Sequence, residues 1–349
     1  MRILVTGNAG EREPGQRYYN VERKLANGFL RNGHSVVFFS DRDVARAGTV
    51  FRSSRVGRGA AQEKFREAAR NYAPHAIVLM HTSLIATETL AEAKGHARIA
   101  QVCVDPLFRE VNVRFLADRA RIVDATFVTT AGAALKRFSM AGNVCAYIPN
   151  PVDASVEDLR NFARDDLDYD VFFAANAGGD REDDARRVTP KMMKAAGLAC
   201  AIHGFDGAPR LYGAAYFAGL GRARMGLNLN SDRAETATLQ APLEELYLYS
   251  SDRVSQLLGC GLGVLSFEVN RMMELFEPER EMVFAPTPEA MRDAALRLKR
   301  DDAARRRIAE AGWRKAHEDF NERLVAKFIE EVTFRRPLSQ RYAWPTAMW

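Results

Sequence analysis

The sequence predicts an α/β protein of two domains, each built on a parallel β-sheet that helices cover on both faces. Apolar runs of strand length alternate with helical patterns along the chain, which is typical of βαβ units. The chain has 349 residues, more than a single hydrophobic core usually serves. A segment with two prolines and many charged residues interrupts the alternation near the middle. These observations favour two successive α/β units joined by a linker.

The first half contains six apolar runs that predict strands, at residues 2–6, 35–39, 75–80, 98–104, 125–128 and 144–148. A helix is predicted over 18–31, because its pattern ends at an Asn-Gly pair, a usual helix stop. The sequence Pro-Asn-Pro at 149–151 then breaks the pattern, and a charged stretch follows over 157–170. We therefore expect a first Rossmann-like domain at residues 1–155.

A second βα series follows the charged stretch. Its predicted strands are 170–174, 198–202, 225–229 and 263–267, with a shorter one at 282–285. Thr189-Pro190 predicts a helix start, since a hydroxyl N-cap precedes a proline at the first helical position. We expect a second domain at 166–320, and a C-terminal helix and tail at 321–349 that crosses back to the first domain. Ligands should bind at the carboxyl ends of the strands, in a cleft that the two domains face.

Composition excludes several classes of protein. Hydrophobic residues make up 47% of the chain, which is ordinary for a globular protein, and the apolar runs are far shorter than a membrane helix requires. The N-terminus enters a strand without the features of a signal peptide, so we expect a cytoplasmic protein. The four cysteines are scattered and predict buried thiols. The net charge of +5 is too small to predict nucleic-acid binding, although it favours anionic substrates or an anionic membrane surface.

A glycine-containing loop follows the first predicted strand, with the sequence Thr-Gly-Asn-Ala-Gly at 6–10. One interpretation is a nicotinamide-dinucleotide site, with Asp41 holding the ribose. The pattern fails because Glu13 stands where the third glycine is needed, and Glu11 adds a second carboxylate close to a pyrophosphate. A dinucleotide oxidoreductase is therefore disfavoured.

Two hydroxyls precede a short predicted helix in the second half. Ser250 and Ser251 come before it, and Arg253 lies in its first turn. Free N–H groups at a helix start attract phosphate, and an arginine can add a forked contact. The alternative is an ordinary capped helix with a surface arginine. The residues alone do not decide between the two.

The chain resembles GT-B glycosyltransferases, specifically the CgeB-like branch of the group 1 type. The resemblance is strongest after residue 120, where the order and spacing of the motifs are more specific than any single motif. The matching stretches are Asp-Ala-Thr-Phe at 124–127, Ile-Pro-Asn-Pro-Val-Asp at 148–153, Tyr-Asp-Val-Phe-Phe at 169–173, Met-Gly-Leu-Asn at 225–228, Arg253, Gly-Cys-Gly at 259–261, Val-Leu-Ser at 264–266, Leu-Phe-Glu-Pro at 275–278, Glu-Met-Val-Phe at 281–284 and Arg-Arg-Arg-Ile-Ala-Glu-Ala-Gly at 305–312.

The resemblance implies a GT-B-like fold, with a nucleotide-sugar donor on the second domain, an acceptor facing the first, and no cofactor or metal. The implied donor-binding residues are Arg181, His203, Asn228, Ser250, Ser251, Arg253 and Gln256. One departure concerns the two glutamates, eight positions apart, that many retaining members carry. Leu248 and Gln256 stand in those places, which excludes a carboxylate role there and leaves the stereochemical outcome open.

Two residues of the first half are candidates for the general base that an inverting transfer needs. His81 follows the third predicted strand and Asp105 follows the fourth. Each has a structural alternative, as a hydrogen-bonded histidine at a loop edge and as a capping aspartate. The loop with Gly7, Gly10, Glu11 and Glu13 is predicted on the acceptor side, where the two glutamates are expected to be solvated.

Two Asp-x-Asp patterns, at 41–43 and 168–170, are typical of metal sites in the other large glycosyltransferase fold, but we interpret both as solvated turns. The tail after residue 334 combines basic and aromatic residues. A membrane-interface anchor at the inner face of the membrane is one interpretation of it. Packing back onto the first domain is favoured, because the tail is short and contains prolines.

The resemblance thus implies a metal-independent glycosyltransferase of cell-surface polysaccharide biosynthesis, which we expect to be cytoplasmic. It would move a sugar from a UDP- or GDP-type donor to a glycan, lipid or protein acceptor. One alternative is a non-hydrolysing nucleotide-sugar epimerase with the same two-domain fold. Another is a non-catalytic protein of the same fold that binds nucleotides or carbohydrates, an alternative that we keep because both glutamates are absent.

Overall fold

A computed structural model of the protein describes residues 1–107, 109–140, 142–175, 184–230 and 246–349. They form two compact units, one made of Met1–Pro151 with Glu322–Trp349 and the other of Val152–Asn321. Each unit contains a fully parallel sheet with helices packed against it. The predicted α/β class, with two Rossmann-like sheets, is therefore confirmed.

The first unit has a six-stranded sheet with strand order β2-β1-β3-β4-β5-β6. Its strands are β1 (Arg2–Gly7), β2 (Ser35–Ser40), β3 (Ala76–Met80), β4 (Arg98–Cys103), β5 (Ala125–Val128) and β6 (Val144–Tyr147). Its helices up to residue 151 are α1 (Val21–Arg31), α2 (Asp41–Ala47), α3 (Arg58–Tyr72), α4 (Thr87–Lys94) and α5 (Glu110–Ala120). All five residues of β3 are buried, as expected for a parallel strand covered on both faces.

The second unit has a five-stranded sheet with strand order β11-β10-β9-β7-β8. Its strands are β7 (Tyr169–Ala174), β8 (Cys200–His203), β9 (Ala223–Asn228), β10 (Gly263–Phe267) and β11 (Val283–Ala285). Its helices are α6 (Ala185–Ala195), α7 (Gly213–Leu220), α8 (Arg253–Gly259), α9 (Pro288–Arg300) and α10 (Asp302–Asp319). Each strand of both sheets coincides with a predicted apolar run to within a few residues.

Two helix starts differ from the prediction. Helix α1 begins at Val21, because the residues before Asn20 form turns and Asn20 itself is extended. Helix α6 begins at Ala185 instead of Thr189, because the Asp184 carboxylate accepts a hydrogen bond from the Arg186 N–H at 2.8 Å and caps an earlier turn. Pro190 is consequently an interior helix residue.

The C-terminal segment is part of the first unit. Helix α11 (Glu322–Thr333) packs along α1, and the tail then runs beside β6, where Trp349 and Cys145 exchange two backbone hydrogen bonds. Tyr342 and Trp344 are buried against the Phe328 ring. Two of the aromatic side chains that suggested a membrane anchor therefore lie in the core of the first unit, while Trp349 is partly exposed. No helix in the described ranges is long and apolar enough to cross a bilayer.

The four cysteines are free thiols, of which Cys145 and Cys260 are buried as predicted. Cys103 and Cys200 are partly exposed, since both stand at strand ends.

Candidate functional site

Each sheet has one point where the strand order reverses, between β1 and β3 in the first unit and between β7 and β9 in the second. Open α/β sheets bind ligands outside the carboxyl ends of the strands at such a point. The predicted site residues therefore divide into two groups. One surrounds the end of β3, and the other surrounds the ends of β7 and β9.

In the first unit, His81 lies between two carboxylates. Its Nδ1 is 2.8 Å from Glu22 Oε1, and its Nε2 is 3.4 Å from Asp105 Oδ2. Glu22 is almost fully buried on α1, whereas the Asp105 side chain is 46% exposed. The structure thus brings both predicted catalytic residues together and adds Glu22, which the sequence analysis missed.

The two carboxylates determine the charge of His81. The hydrogen bond to Asp105, and then that to Glu22, raise the pKa of His81 to about 10 against the opposing effect of burial. The pKa of Asp105 is lowered chiefly by its hydrogen bond to His81. At neutral pH the imidazole therefore carries protons on both nitrogens and cannot accept another. In this arrangement Asp105, and not His81, has the open basic atoms.

The backbone around His81 is held in an unusual conformation. His81 has a φ of 45°, in the left-handed region that non-glycine residues rarely adopt. Buried Arg119 on α5 donates to the carbonyls of Thr82 and Ile85 at 2.5 and 2.8 Å, and Asp41 accepts from the Leu84 N–H at 2.9 Å. Buried charges from two elements thus fix the segment that carries His81.

Side chains of the first unit bind two N–H groups of the glycine loop after β1. The Ala9 N–H donates to Ser40 Oγ at 3.1 Å, and the Gly10 N–H donates to Asp43 Oδ2 at 3.0 Å. A pyrophosphate would require such N–H groups, so their occupation by a hydroxyl and a carboxylate agrees with rejecting a dinucleotide site. Glu11 and Glu13 are exposed in this loop. A Cβ on Gly7 would lie 2.7 Å from Glu22 Cγ, so a glycine is needed there for Glu22 to reach His81.

The Asp-x-Asp patterns are not solvated turns, which corrects the prediction. Asp41 and Asp43 are 0% and 7% exposed in the first turn of α2, because backbone N–H groups of two neighbouring loops bind them. Asp170 is buried in β7 and accepts from the Ala199 N–H and Lys299. Only Asp168 is exposed, where it pairs with Arg222.

In the second unit, Arg253 lies at the point where the strand order reverses. Its Nε donates to the Ala174 carbonyl at the end of β7, and its Nη1 donates to the Leu229 carbonyl after β9, both at 2.9 Å. Its guanidinium lies 5.1 Å from the centre of the Phe173 ring. No carboxylate in the described ranges hydrogen-bonds Arg253, and burial lowers its pKa. The result is a half-buried cation whose charge two carbonyl dipoles and a ring compensate only in part.

Three predicted donor-binding residues are held by hydrogen bonds within the unit. Asn228 Oδ1 accepts from Ser250 Oγ at 3.0 Å, and Asn228 Nδ2 donates to Ser266 Oγ at 3.1 Å. Gln256 accepts from the Tyr216 hydroxyl at 2.7 Å and donates to Asp252 at 3.3 Å. These side chains support the edge of the sheet, and a ligand would have to displace their present partners.

Two others have polar atoms that no described residue binds. Ser251 Oγ is buried without a hydrogen-bond partner, and so is His203 Nδ1 at the end of β8. Burial lowers the pKa of His203, and this effect outweighs that of a hydrogen bond to the Pro209 backbone, which raises the pKa. His203 is therefore neutral at pH 7 and has an open acceptor atom.

The two hydroxyls precede a helix that begins at Arg253. Asp252 is the N-cap residue of α8 and Arg253 is the first helical residue, so Ser250 and Ser251 lie before the helix and do not cap it. The reason is that Ser250 Oγ is bonded to Asn228, which keeps this segment on the sheet. Arg181, the remaining predicted donor-binding residue, lies outside the described residues.

The sequence and the structure both match glycosyltransferases. Residues 181–331 match the family model described as "Glycosyl transferase-like". A search of curated proteins finds no significant match. Sucrose-phosphate synthase from Thermosynechococcus elongatus has a similar structure, with a TM-score of 0.61 at 12% identity, covering 96% of this chain and 98% of that one.

Two further similar structures contain nucleotide sugars. HepE from Anabaena, solved with UDP-glucose, has a TM-score of 0.58 at 14% identity, covering 96% of this chain and 100% of that one. An alpha-glucosyltransferase in complex with UDP-glucose and DNA has a TM-score of 0.65 at 11% identity, with coverage of 96% and 99%. At these identities the likeness shows a shared GT-B fold. The chain therefore has the GT-B fold, and its residues 181–331 are similar to a glycosyltransferase family model.

Proposed function

We propose that the protein transfers a sugar from a nucleoside-diphosphate donor, bound at the carboxyl edge of the second sheet, to a hydroxyl-bearing glycan, lipid or protein acceptor. The observation that carries the proposal is Arg253, a half-buried arginine at the reversal point between β7 and β9 whose guanidinium has no hydrogen-bonded carboxylate in the described ranges. A UDP donor is favoured, because the HepE and alpha-glucosyltransferase structures are complexes with UDP-glucose.

A diphosphate would supply the anion that Arg253 lacks. Two of its five N–H groups bind carbonyls, and the other three have no partner among described residues. A guanidinium binds phosphate oxygens in a forked, charge-assisted geometry. Negative charge grows on the departing diphosphate as the sugar bond breaks, so the contact strengthens in the transition state. Arg253 can thereby provide the positive charge that a metal ion provides elsewhere, and we propose metal-independent transfer.

Ser251 and His203 are proposed to complete the donor site. The Ser251 hydroxyl is available to a phosphate oxygen, and His203 Nδ1 can accept from a hydroxyl of the ribose or the sugar. The other predicted donor-binding residues are proposed to support the site indirectly, through their hydrogen bonds within the second unit. They are Asn228, Ser250 and Gln256. From the order of motifs along the chain, we also propose that the protein belongs to the CgeB-like branch.

On the acceptor side, Asp105 is proposed as the group that takes the acceptor proton. The doubly protonated His81 holds Asp105 ionised and oriented, and buried Glu22 fixes His81 from its other side. In the proposed reaction the acceptor oxygen bonds to the anomeric carbon and its proton passes to Asp105. The bond to the donor phosphate breaks, and the nucleoside diphosphate leaves with that electron pair.

Thermal unfolding against a panel of nucleoside diphosphates and nucleotide sugars tests the donor site. A ligand present at 100 times its Kd stabilises the folded state by about 2.7 kcal/mol, so we expect UDP or GDP to raise the unfolding temperature by several degrees. NAD and NADP serve as controls that should have no effect. Stabilisation by a dinucleotide alone would contradict the proposal.

Product analysis tests the reaction. With the stabilising donor and a suitable acceptor, we expect nucleoside diphosphate and glycosylated acceptor in equal amounts. Asp105→Asn should lower turnover by roughly 10²- to 10⁴-fold without changing donor affinity. Conversion of the donor to an isomeric sugar or to free nucleotide without any acceptor would instead indicate an epimerase.

A further inference from the structure

A loop at residues 48–58, between α2 and α3, exposes three apolar side chains. Val50, Phe51 and Val56 are 97%, 83% and 66% exposed. Single exposed apolar residues are normal, but three within seven positions form a patch that requires an explanation. We call residues 48–58 the Arg-Val loop.

The Arg-Val loop has a defined conformation. The Arg52 N–H donates to the Thr49 carbonyl at 3.0 Å, the Ser53 N–H to Thr49 Oγ1 at 3.2 Å, and the Gly57 N–H to the Ser53 carbonyl at 3.0 Å. Buried Gly57 packs so closely on α2 that a Cβ there would lie 1.8 Å from the Ala45 carbonyl oxygen. The loop is therefore anchored at its base, and its turns direct the apolar side chains outward.

The same loop is strongly basic. Arg52, Arg55 and Arg58 are exposed, and residues 44–62 contain no aspartate or glutamate. None of the three arginines forms an ion pair with a carboxylate in the part of the chain that the structure describes. Exposed apolar groups interleaved with unpaired cations match the chemistry of a phospholipid surface, which offers anionic headgroups above an acyl layer.

We infer that the Arg-Val loop docks the first unit on an anionic lipid bilayer, with Phe51 and the two valines entering the headgroup region. Nucleic acid would satisfy the arginines but not two exposed valines, which have no groups to pair with a base or a phosphate. This surface differs from the C-terminal tail, whose Tyr342 and Trp344 are buried.

The position of the loop connects it with the candidate site. Arg58 Nε donates to the Leu84 carbonyl at 3.4 Å, three residues after His81. The loop therefore lies at the carboxyl edge of the first sheet, the edge that carries Asp105. If the proposed function holds, a lipid-linked acceptor would reach this edge from the bilayer. Membrane binding itself does not depend on that function.

Co-sedimentation of the whole protein with vesicles tests the inference. We expect binding to phosphatidylcholine vesicles with ~30% phosphatidylglycerol, little binding to pure phosphatidylcholine, and weaker binding at high salt. Arg52→Ser with Arg55→Ser should lower the partition coefficient about 25-fold, since each arginine near such a surface contributes a factor of about five. Phe51→Ser should lower it about tenfold.

Matched controls are available at the opposite edge of the same sheet. Leu30, 51% exposed near the end of α1, and Arg121, exposed after α5, precede strands and so lie at the amino edge. Leu30→Ser with Arg121→Ser should leave vesicle binding within about twofold of the parent. All variants should keep the parent's unfolding temperature and its affinity for nucleoside diphosphates, which separates this test from that of the proposed function.

Three results would overturn the inference. The first is equal binding of the parent and the loop variants to anionic vesicles. The second is binding to DNA without binding to vesicles, with loss in the arginine variant. The third is a dimer in solution that the Phe51→Ser variant converts to a monomer, since the patch would then be an interface between two copies.

Discussion

Replacing Glu22 by glutamine should lower the pKa of His81 without removing the side chain that contacts it. In the parent, two carboxylates raise that pKa to about 10. Opposite charges ~4 Å apart at an effective dielectric constant near 20 attract by about 4 kcal/mol. The His81 side chain is 33% exposed, so we halve this value for solvent screening, which leaves about 2 kcal/mol or about 1.5 pKa units. Glu22→Gln should therefore bring the His81 pKa to between about 8 and 9.

The assay is an NMR titration of the histidine ring signals, with His81 identified through a His81→Gln variant. Asp105→Asn is the matched perturbation from the other side of the ring, and it should lower the pKa at least as much because Asp105 contributes the larger effect. A parent His81 that titrates near 6.5 would refute the reasoning, since neither carboxylate would then stabilise the imidazolium.

The same interaction predicts the pH dependence of stability. The pKa of His81 is raised in the folded state, so its stabilising effect is fully present below the unfolded value of 6.5 and is lost as the pH rises through about 10. Urea unfolding should show the parent losing stability between pH 6.5 and 10, and the Glu22→Gln variant losing about 2 kcal/mol less over the same range. Equal losses in both proteins would contradict the assignment.

The remaining predictions concern the two sheet edges. Ser251→Ala should weaken nucleoside diphosphate binding measured by calorimetry while the free energy of unfolding stays unchanged. Ser250→Ala should instead lower the free energy of unfolding by about 1 kcal/mol, because Ser250, unlike Ser251, hydrogen-bonds the Asn228 side chain. The reverse pattern would exchange the roles of the two serines. Arg119→Met should lower the free energy of unfolding, measured in urea, by about 2–3 kcal/mol and should reduce turnover. The reason is that it leaves the Thr82 and Ile85 carbonyls near His81 without their donor. An unchanged free energy of unfolding would show that these two hydrogen bonds contribute little. Transfer should persist in excess chelator, and its loss with recovery on adding a divalent ion would contradict metal independence.

The sequence predicts the strands of this fold well because buried parallel strands are continuous apolar runs. The run Ala-Ile-Val-Leu-Met at 76–80 needs no context to be recognised, and it places His81 at a strand end. Strand ends in turn predict the ligand edge, which is why His81, Asp105, His203 and Arg253 all lie near the carboxyl ends of strands. Helix starts are predicted less well, since Asp184 and Thr189 are both acceptable caps and tertiary packing selects one.

The partners of the site residues are what local patterns miss. Glu22 meets His81 across 59 positions of sequence, and only its place among the buried residues of α1, beside Val21 and Leu25, hints that this carboxylate faces inward. From the sequence, Asp43 is expected to be a surface residue. In the structure it is buried, because the loop that carries Gly10 packs over it and the Gly10 N–H binds its carboxylate. Pairings of this kind depend on the strand order, which no stretch of a few residues encodes.

The most direct test of the account is calorimetric titration of UDP and GDP into the parent, Arg253→Lys and Arg253→Ala. We predict that the parent binds one of the two nucleotides, that lysine retains part of the affinity because it keeps the charge but not the forked contact, and that alanine loses about 2 kcal/mol or more. Circular dichroism should show all three folded, because the side chain contacts carbonyls only through its tip. Unchanged nucleotide affinity in a folded Arg253→Ala protein would contradict the account.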